Sequence, residues 1–182
     1  MLEQPPPALC LLRLSNSAAV SAEHTFAARC SWRGSTGKGY ESYCREHSAS
    51  ASPADASLAL SASDAFLGRA DHLNPEQLVV MAAASCQLLS FLAVAARARI
   101  DVLAYHDEAA GFMPERERPV RLKRIVLRPR ILVAAGPPED RVRRLVEVAH
   151  RECYVANSLT TIIEVEPHID FLAEDPTTPG SS

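Results

Sequence analysis

The chain has 182 residues, 47% of them hydrophobic, with 19 basic and 22 acidic side chains for a formal net charge of -3. That length suits one core and is too short for two ordinary domains, and the interspersed charge offers neither a basic stripe for nucleic acid nor a polybasic anchor for anionic lipid. Five cysteines (Cys10, Cys30, Cys44, Cys86, Cys153) are odd in number and widely spaced, without a Cys-x-x-Cys or a zinc-like Cys/His cluster, so neither a disulfide-rich secreted scaffold nor a metal site is expected.

Residues 1–22, with Pro5, Pro6 and Pro7 ahead of a Ser/Ala-rich run, and the polar residues 173–182 read as flexible tails, leaving 23–172 as a single folded unit. The N-terminal stretch has no positive n-region and no convincing cleavage site, so a cytoplasmic location is expected. His24 to Trp32 loosely alternates, Gly34 to Gly39 supplies a turn and Tyr40 to His47 resumes an extended pattern, which predicts a hairpin. Ser57 to Ala62 could add a third strand, with Asp64 to Asp71 as a loop or short helical turn.

Asn74-Pro75-Glu76-Gln77 is a strong helix start, with Asn at the cap, Pro at the first helical position and Gln three residues after the cap. The helix is predicted to run to about Ala98. Leu78 to Ala96 carries no charge and is near the length of a bilayer span, but it is rich in Ala and Ser, holds Gln87 and lacks an aromatic belt. It reads instead as a helix buried on all sides. Ile100 to His106 predicts a strand, Gly111 a turn, and Val120 to Val133 a long alternating strand whose Arg121, Lys123, Arg128 and Arg130 face water. Pro137-Pro138-Glu139-Asp140 opens a second helix with Val142, Leu145, Val146 and Ala149 on one face, ending near Cys153. Ser158 to Val165 closes the fold as a strand stopped by Pro167. The expected class is α+β, with antiparallel sheet packed around a central buried helix.

Cys86 lies in the middle of the apolar helix. A free cysteine in such a place is ordinarily a small hydrophobe, and its thiol is inert unless something nearby stabilises the thiolate. Cys153, at a helix end among polar residues, is expected to be the more accessible of the two. Arg45, in Tyr43-Cys44-Arg45-Glu46-His47, would be a permanent cation if it pointed inward from a strand, and Glu76 could hold an arginine by a bidentate pair. Each also has an ordinary structural explanation, as a solvated edge arginine and as a first-turn acid on the helix dipole. The six histidines are scattered, so a catalytic metal has little support, and a Cys86/His150 hydrolase would need water that an enveloped helix does not offer.

Taken together, Asn74-Pro75-Glu76-Gln77-Leu78, the Ala-Ser-Cys86-x-x-x-x-Phe91-Leu core, Tyr105-x-Asp107-x-Ala-x-Gly111, Val126-Leu-Arg128-Pro129 and Ala149-His150-x-x-Cys153-Tyr154-Val155-Ala156-Asn157-Ser158 resemble the OsmC/Ohr family of thiol-dependent organic hydroperoxide reductases, and the OsmC branch more than the Ohr branch. The resemblance spans about 24–168. It implies an intertwined homodimer with active sites at the subunit interface, no cofactor, Cys86 as peroxidatic nucleophile, Cys153 as resolving cysteine, Arg45 as thiolate partner from either chain and Glu76 as its orienting acid. The implied partners are an organic hydroperoxide and an external dithiol, in oxidative or osmotic stress defence. An apolar wall of Val80, Met81, Leu89 and Phe91 would favour bulky peroxides. Gln87 stands where OsmC-branch members often carry His, which bears on substrate preference. The alternative is a non-catalytic OsmC-like dimer that binds an apolar ligand in the interface pocket.

Overall fold

A computed structural model describes residues 23–172; both expected tails, and Cys10 with them, lie outside the described residues. The N-terminal part is a three-stranded antiparallel sheet of β1 (Arg29–Ser31), β2 (His47–Ser50) and β3 (Ser57–Leu60), in that order. The predicted hairpin is corrected here, because residues 40–46 are turn and loop and the strand begins only at His47. A tight cluster of Trp32, Tyr40 and Tyr43 with edge-to-face ring contacts holds that loop in place of a ladder.

The long helix α1 (Pro75–Arg97) starts as its sequence dictates. The Asn74 side chain accepts the Gln77 N–H at 2.9 Å, and Gln77 Oε1 accepts the Asn74 N–H at 3.0 Å. Such a cap contributes about 1 kcal/mol and fixes the helix phase. That phase turns Ala83, Gln87, Phe91, Val94 and Ala95 inward. The opposite side is open: Met81, Leu89 and Leu92 are exposed. The helix is therefore not enveloped by its own chain. By length and composition it could cross a bilayer, but its inner face is spent on α2 (Glu139–Glu152), α3 (Tyr154–Ser158), β4 (Val102–Asp107) and β5 (Ala110–Phe112).

The remaining strands are β6 (Arg124–Leu127), β7 (Pro129–Val133), β8 (Ile162–Val165) and β9 (His168–Phe171). They form two sheets with the same chain order, β5-β6-β8 and β4-β7-β9. Each long segment therefore serves both sheets and is broken at a common level, at Glu108–Ala109, at Arg128 and at Glu166–Pro167. The predicted single strand from Val120 to Val133 is thus two strands, and Pro167 is a hinge after which β9 resumes. The antiparallel pairing expected holds for β1–β2–β3, β4–β7 and β5–β6, and the β6–β8 and β7–β9 pairs are parallel, so the last two sheets are mixed. Gly111 is not a turn but lies within β5. A Cβ there would meet Val80 Cγ2 at 2.6 Å, so only glycine lets β5 cross α1 this closely.

The amphipathic α2 buries Val142, Val146 and Ala149, the face its spacing predicts. These meet Phe91, Val94 and Ala95 of α1, with Ile131, Val133 and Ile169 of the sheet beneath, in the main core. Full burial of each large apolar side chain contributes roughly 1.5–3 kcal/mol. The basic strand is solvated as expected, its cations paired across the sheet in Arg124–Glu164 and Arg128–Glu166, each at 3.0 Å.

Candidate active site

Cys86 sits halfway along α1, one residue before the buried Gln87, at the margin between the packed and open faces. Opposite it, α2 gives way to α3 at Cys153, which ends one helix and caps the next, its Sγ accepting the Ala156 N–H at 3.5 Å. Cys153 is 1% exposed, which corrects the expectation of an accessible thiol. The polar neighbours along the sequence mark the surfaces of two helices, and the junction between them turns inward. The five-residue helix α3 carries no apolar periodicity long enough to announce it.

Both thiols are free, and each is near enough to the other to shift its acidity. The first turn of α3 also aims at Cys86: the Val155 N–H donates to its Sγ at 3.4 Å. Burial opposes the Cys86 thiolate, but the Val155 N–H, the Cys153 thiol, the Tyr154 N–H and the Ser90 hydroxyl together outweigh it and hold the thiol below its ordinary value. For Cys153 burial dominates, reinforced by the neighbouring Cys86 thiol, and its thiol is pushed up to about 11. The pair thus shares one acidic and one reluctant proton, the division of roles a nucleophile and a reserve thiol need.

A cavity of about 770 Å³ is lined by Cys86 with Leu89, Ser90 and Ala93 and with Arg97, Arg151 and Tyr154. Of the expected apolar wall only Leu89 lines it. Phe91 is buried in the core, while Val80 and Met81 line another cavity, because successive residues of a helix point about 100° apart. Gln87, for the same reason, turns away from the thiols. Its Nε2 donates to the Val146 carbonyl of α2 at 3.3 Å, so it is a core residue and does not touch the substrate side.

Arg45 and Glu76 are brought together with each other and not with the cysteines of the same chain. Both line a cavity of about 600 Å³ beside Trp32, Tyr43 and Phe66. Arg45 is not in a strand. Its guanidinium stacks 4.2 Å from the Tyr43 ring centroid and 4.6 Å from that of Tyr40, and donates to the carbonyls of Tyr43 at 2.9 Å and Tyr40 at 2.7 Å. Glu76, in the first turn of α1, is ten residues from Cys86, or about 15 Å along the axis. No Arg45–Glu76 ion pair occurs, and no cation contributes to the Cys86 shift. Among the described residues no cluster of His, Cys, Asp and Glu has the makings of a metal site.

The profile of OsmC-like proteins matches residues 68–168, which carry α1, both cysteines and most of the two bent sheets. The chain belongs to the OsmC-like family. No curated protein matches its sequence. Among solved structures, an OsmC-like protein of unknown function from Vibrio cholerae is 25% identical, with a TM-score of 0.73 over 80% of this chain and 100% of that one. The organic hydroperoxide resistance protein OsmC from Legionella pneumophila is 19% identical, with a TM-score of 0.63 over 82% of this chain and 99% of that one. An organic hydroperoxide resistance protein from Elizabethkingia anophelis is also 19% identical, with a TM-score of 0.63 over 84% of this chain and 100% of that one. The mixed α+β fold of this OsmC-like protein is therefore the fold of these proteins.

Proposed function

We propose that this OsmC-like protein is a cytoplasmic two-cysteine peroxidase that reduces organic hydroperoxides to alcohols, working as a homodimer. The observation that carries this is the thiol pair itself: two free neighbouring cysteines, each accepting a backbone N–H of α3, whose acidities are driven apart by their surroundings. Two of the structural neighbours are called organic hydroperoxide resistance proteins, which supports the same chemistry.

In this reading the Cys86 thiolate attacks the terminal oxygen of R–O–O–H. The O–O bond breaks, the alcohol leaves with a proton, and Cys86 is oxidised to the sulfenic acid. Cys153 attacks that sulfur, water leaves and a Cys86–Cys153 disulfide forms. An external dithiol restores both thiols by exchange. The open apolar side of α1, with Leu89 64% exposed, is the natural seat of the second subunit. That subunit would bring its own Arg45 and Glu76 toward Cys86, a cation and its orienting acid, and close the cavity over the substrate.

The test is loss of free thiols on addition of cumene hydroperoxide. One disulfide per chain is expected in the native protein, no peroxide-dependent change at position 86 in Cys86→Ser, and a sulfenic acid trappable by dimedone in Cys153→Ser. A native Cys86 no faster with peroxide than free cysteine would sink the proposal, and an apolar ligand held without turnover under any dithiol would favour the binding role instead.

A further inference from the structure

Arg45 carries its charge without an anionic partner among the described residues, although a carboxylate follows it directly in the sequence. Glu46 is held elsewhere. Its Oε1 accepts from Arg69 Nη1 at 3.2 Å across 23 residues of chain. The same guanidinium donates from Nε to Asp71 Oδ1 at 2.9 Å and from Nη2 to Asp71 Oδ2 at 2.6 Å, and Asp71 Oδ1 is also 3.0 Å from His72 Nδ1. A planar fork gripped along one edge has its remaining N–H groups fixed in direction. Arg69 Nη1 is thereby presented to Glu46.

The backbone beneath Arg69 is fixed as well. The Arg69 N–H donates at 3.2 Å to Ser61 Oγ, on a fully buried serine, while the Ser61 N–H donates to the Leu73 carbonyl and the Gly68 N–H to the Ser63 carbonyl, each at 2.9 Å. Gly68 passes so near Ala62 that a Cβ would meet the Ala62 carbonyl oxygen at 1.7 Å, so only glycine permits this turn. Ser61, Ala62 and Phe66 of the same loop line the cavity of about 600 Å³ that Tyr43 and Arg45 also line. Arg69 and Glu46 do not line it. Their side chains meet at the surface, 52% and 44% exposed. An isolated pair so exposed adds little to stability, which leaves its effect on Arg45 as the reason for the arrangement.

We propose, on the peroxidase reading above, that Arg69 is a positioning residue: it sequesters the Glu46 carboxylate and so leaves the Arg45 guanidinium uncompensated, free to stabilise the peroxidatic thiolate across the dimer. A carboxylate released one residue from Arg45 would offset its field, because close opposite charges largely cancel at longer range. The thiol would then ionise at higher pH and meet peroxide more slowly. Arg69 touches neither substrate nor sulfur and acts only through Glu46. Cys30, Tyr43, His47 and Glu76 are the other titratable groups on the Arg45 cavity, and variants at 46 and 69 leave them in place.

The experiment follows alkylation of Cys86 by iodoacetamide against pH in the full-length protein, read on the Cys86 peptide by mass spectrometry, together with its oxidation by cumene hydroperoxide. In Arg69→Gln the alkylation midpoint is expected at higher pH than in the native protein, and oxidation at pH 7 about three- to fivefold slower, the scale of one exposed ion pair. Glu46→Gln loses the same pair, yet it and Glu46→Gln/Arg69→Gln should both stay within about twofold of native, because neither leaves an unheld carboxylate. A purely structural clamp makes all three variants equally slow. That result, or a native midpoint in Arg69→Gln, would overturn the proposal. Arg45→Ala separates the two readings. If it too keeps the native midpoint, the service of Arg45 to the thiol falls and the role of Arg69 with it; if it moves the midpoint while Arg69→Gln does not, only the role of Arg69 falls. A second measurement needs neither peroxide nor a dimer. Trp32, the one tryptophan of the chain, lines the Arg45 cavity, so its quenching by iodide relative to neutral acrylamide reports the charge there. That ratio should fall in Arg69→Gln and return in the double variant. An unmoved ratio, or a double variant that stays low, would rule out sequestration of Glu46.

Discussion

The two halves of α1 are built differently. Its middle and C-terminal half lie against α2 and α3, where Cys86, Cys153 and the Val155 N–H meet within one chain. Its first turn carries Glu76 to the edge of an aromatic cavity shared with Arg45, about 15 Å along the axis from Cys86. In the first region the acidity of a thiol is set by backbone donors from a helix only five residues long. In the second a cation rests on two tyrosine rings with no anionic partner among the described residues. The thiol pair is therefore a property of the chain, whereas on the dimer reading proposed above a cationic partner would have to come from a second copy.

The sharpest way to break that contrast is to mix two inactive variants. Cys86→Ser and Arg45→Ala homodimers are both expected to be inactive toward cumene hydroperoxide. When they are unfolded and refolded together, mixed dimers hold one site with a native Cys86 and the partner's native Arg45, so activity should return. Recovery no greater than the sum of the separate proteins would mean that Arg45 does not act across the interface.

A smaller effect concerns pH. The reactive species is the thiolate, whose fraction rises as pH rises through the thiol pKa. Because the Cys86 thiol lies below its ordinary value, its reaction with peroxide should reach a plateau at a lower pH than that of free cysteine, and should fall as pH drops through the lowered value. Iodoacetamide or peroxide rate profiles measure this directly. A profile that follows free cysteine would remove the backbone donors of α3 as its cause.

The smallest expected effect is at Gln87. Gln87→Met removes a buried amide whose Oε1 has no partner and whose Nε2 makes one bond to α2. Stability should change by no more than about 1 kcal/mol, since an unsatisfied buried acceptor offsets much of what the donor contributes, and the rate with different hydroperoxides should be unaltered. A changed substrate preference would show that this position reaches the site after all.

The sequence alone determined whatever local chemistry can write. The Asn74–Gln77 capping box, the apolar face of α2 and the solvated cations of the basic strand are short-range patterns, and the fold class and the choice of Cys86 and Cys153 followed from residues in order. Only the tertiary structure decided the rest. The break of three long strands at one level depends on Asp107 taking the Arg128 N–H from across the sheet, which no window of sequence contains. Cys153 is buried because two helices change direction there. Leu89 lines the cavity while Phe91 does not, because helical phase assigns them to different neighbours. Burial and electrostatics depend on what lies opposite in space, so the division of the two thiols into an acidic and a reluctant one appears only when α1, α2 and α3 are in place.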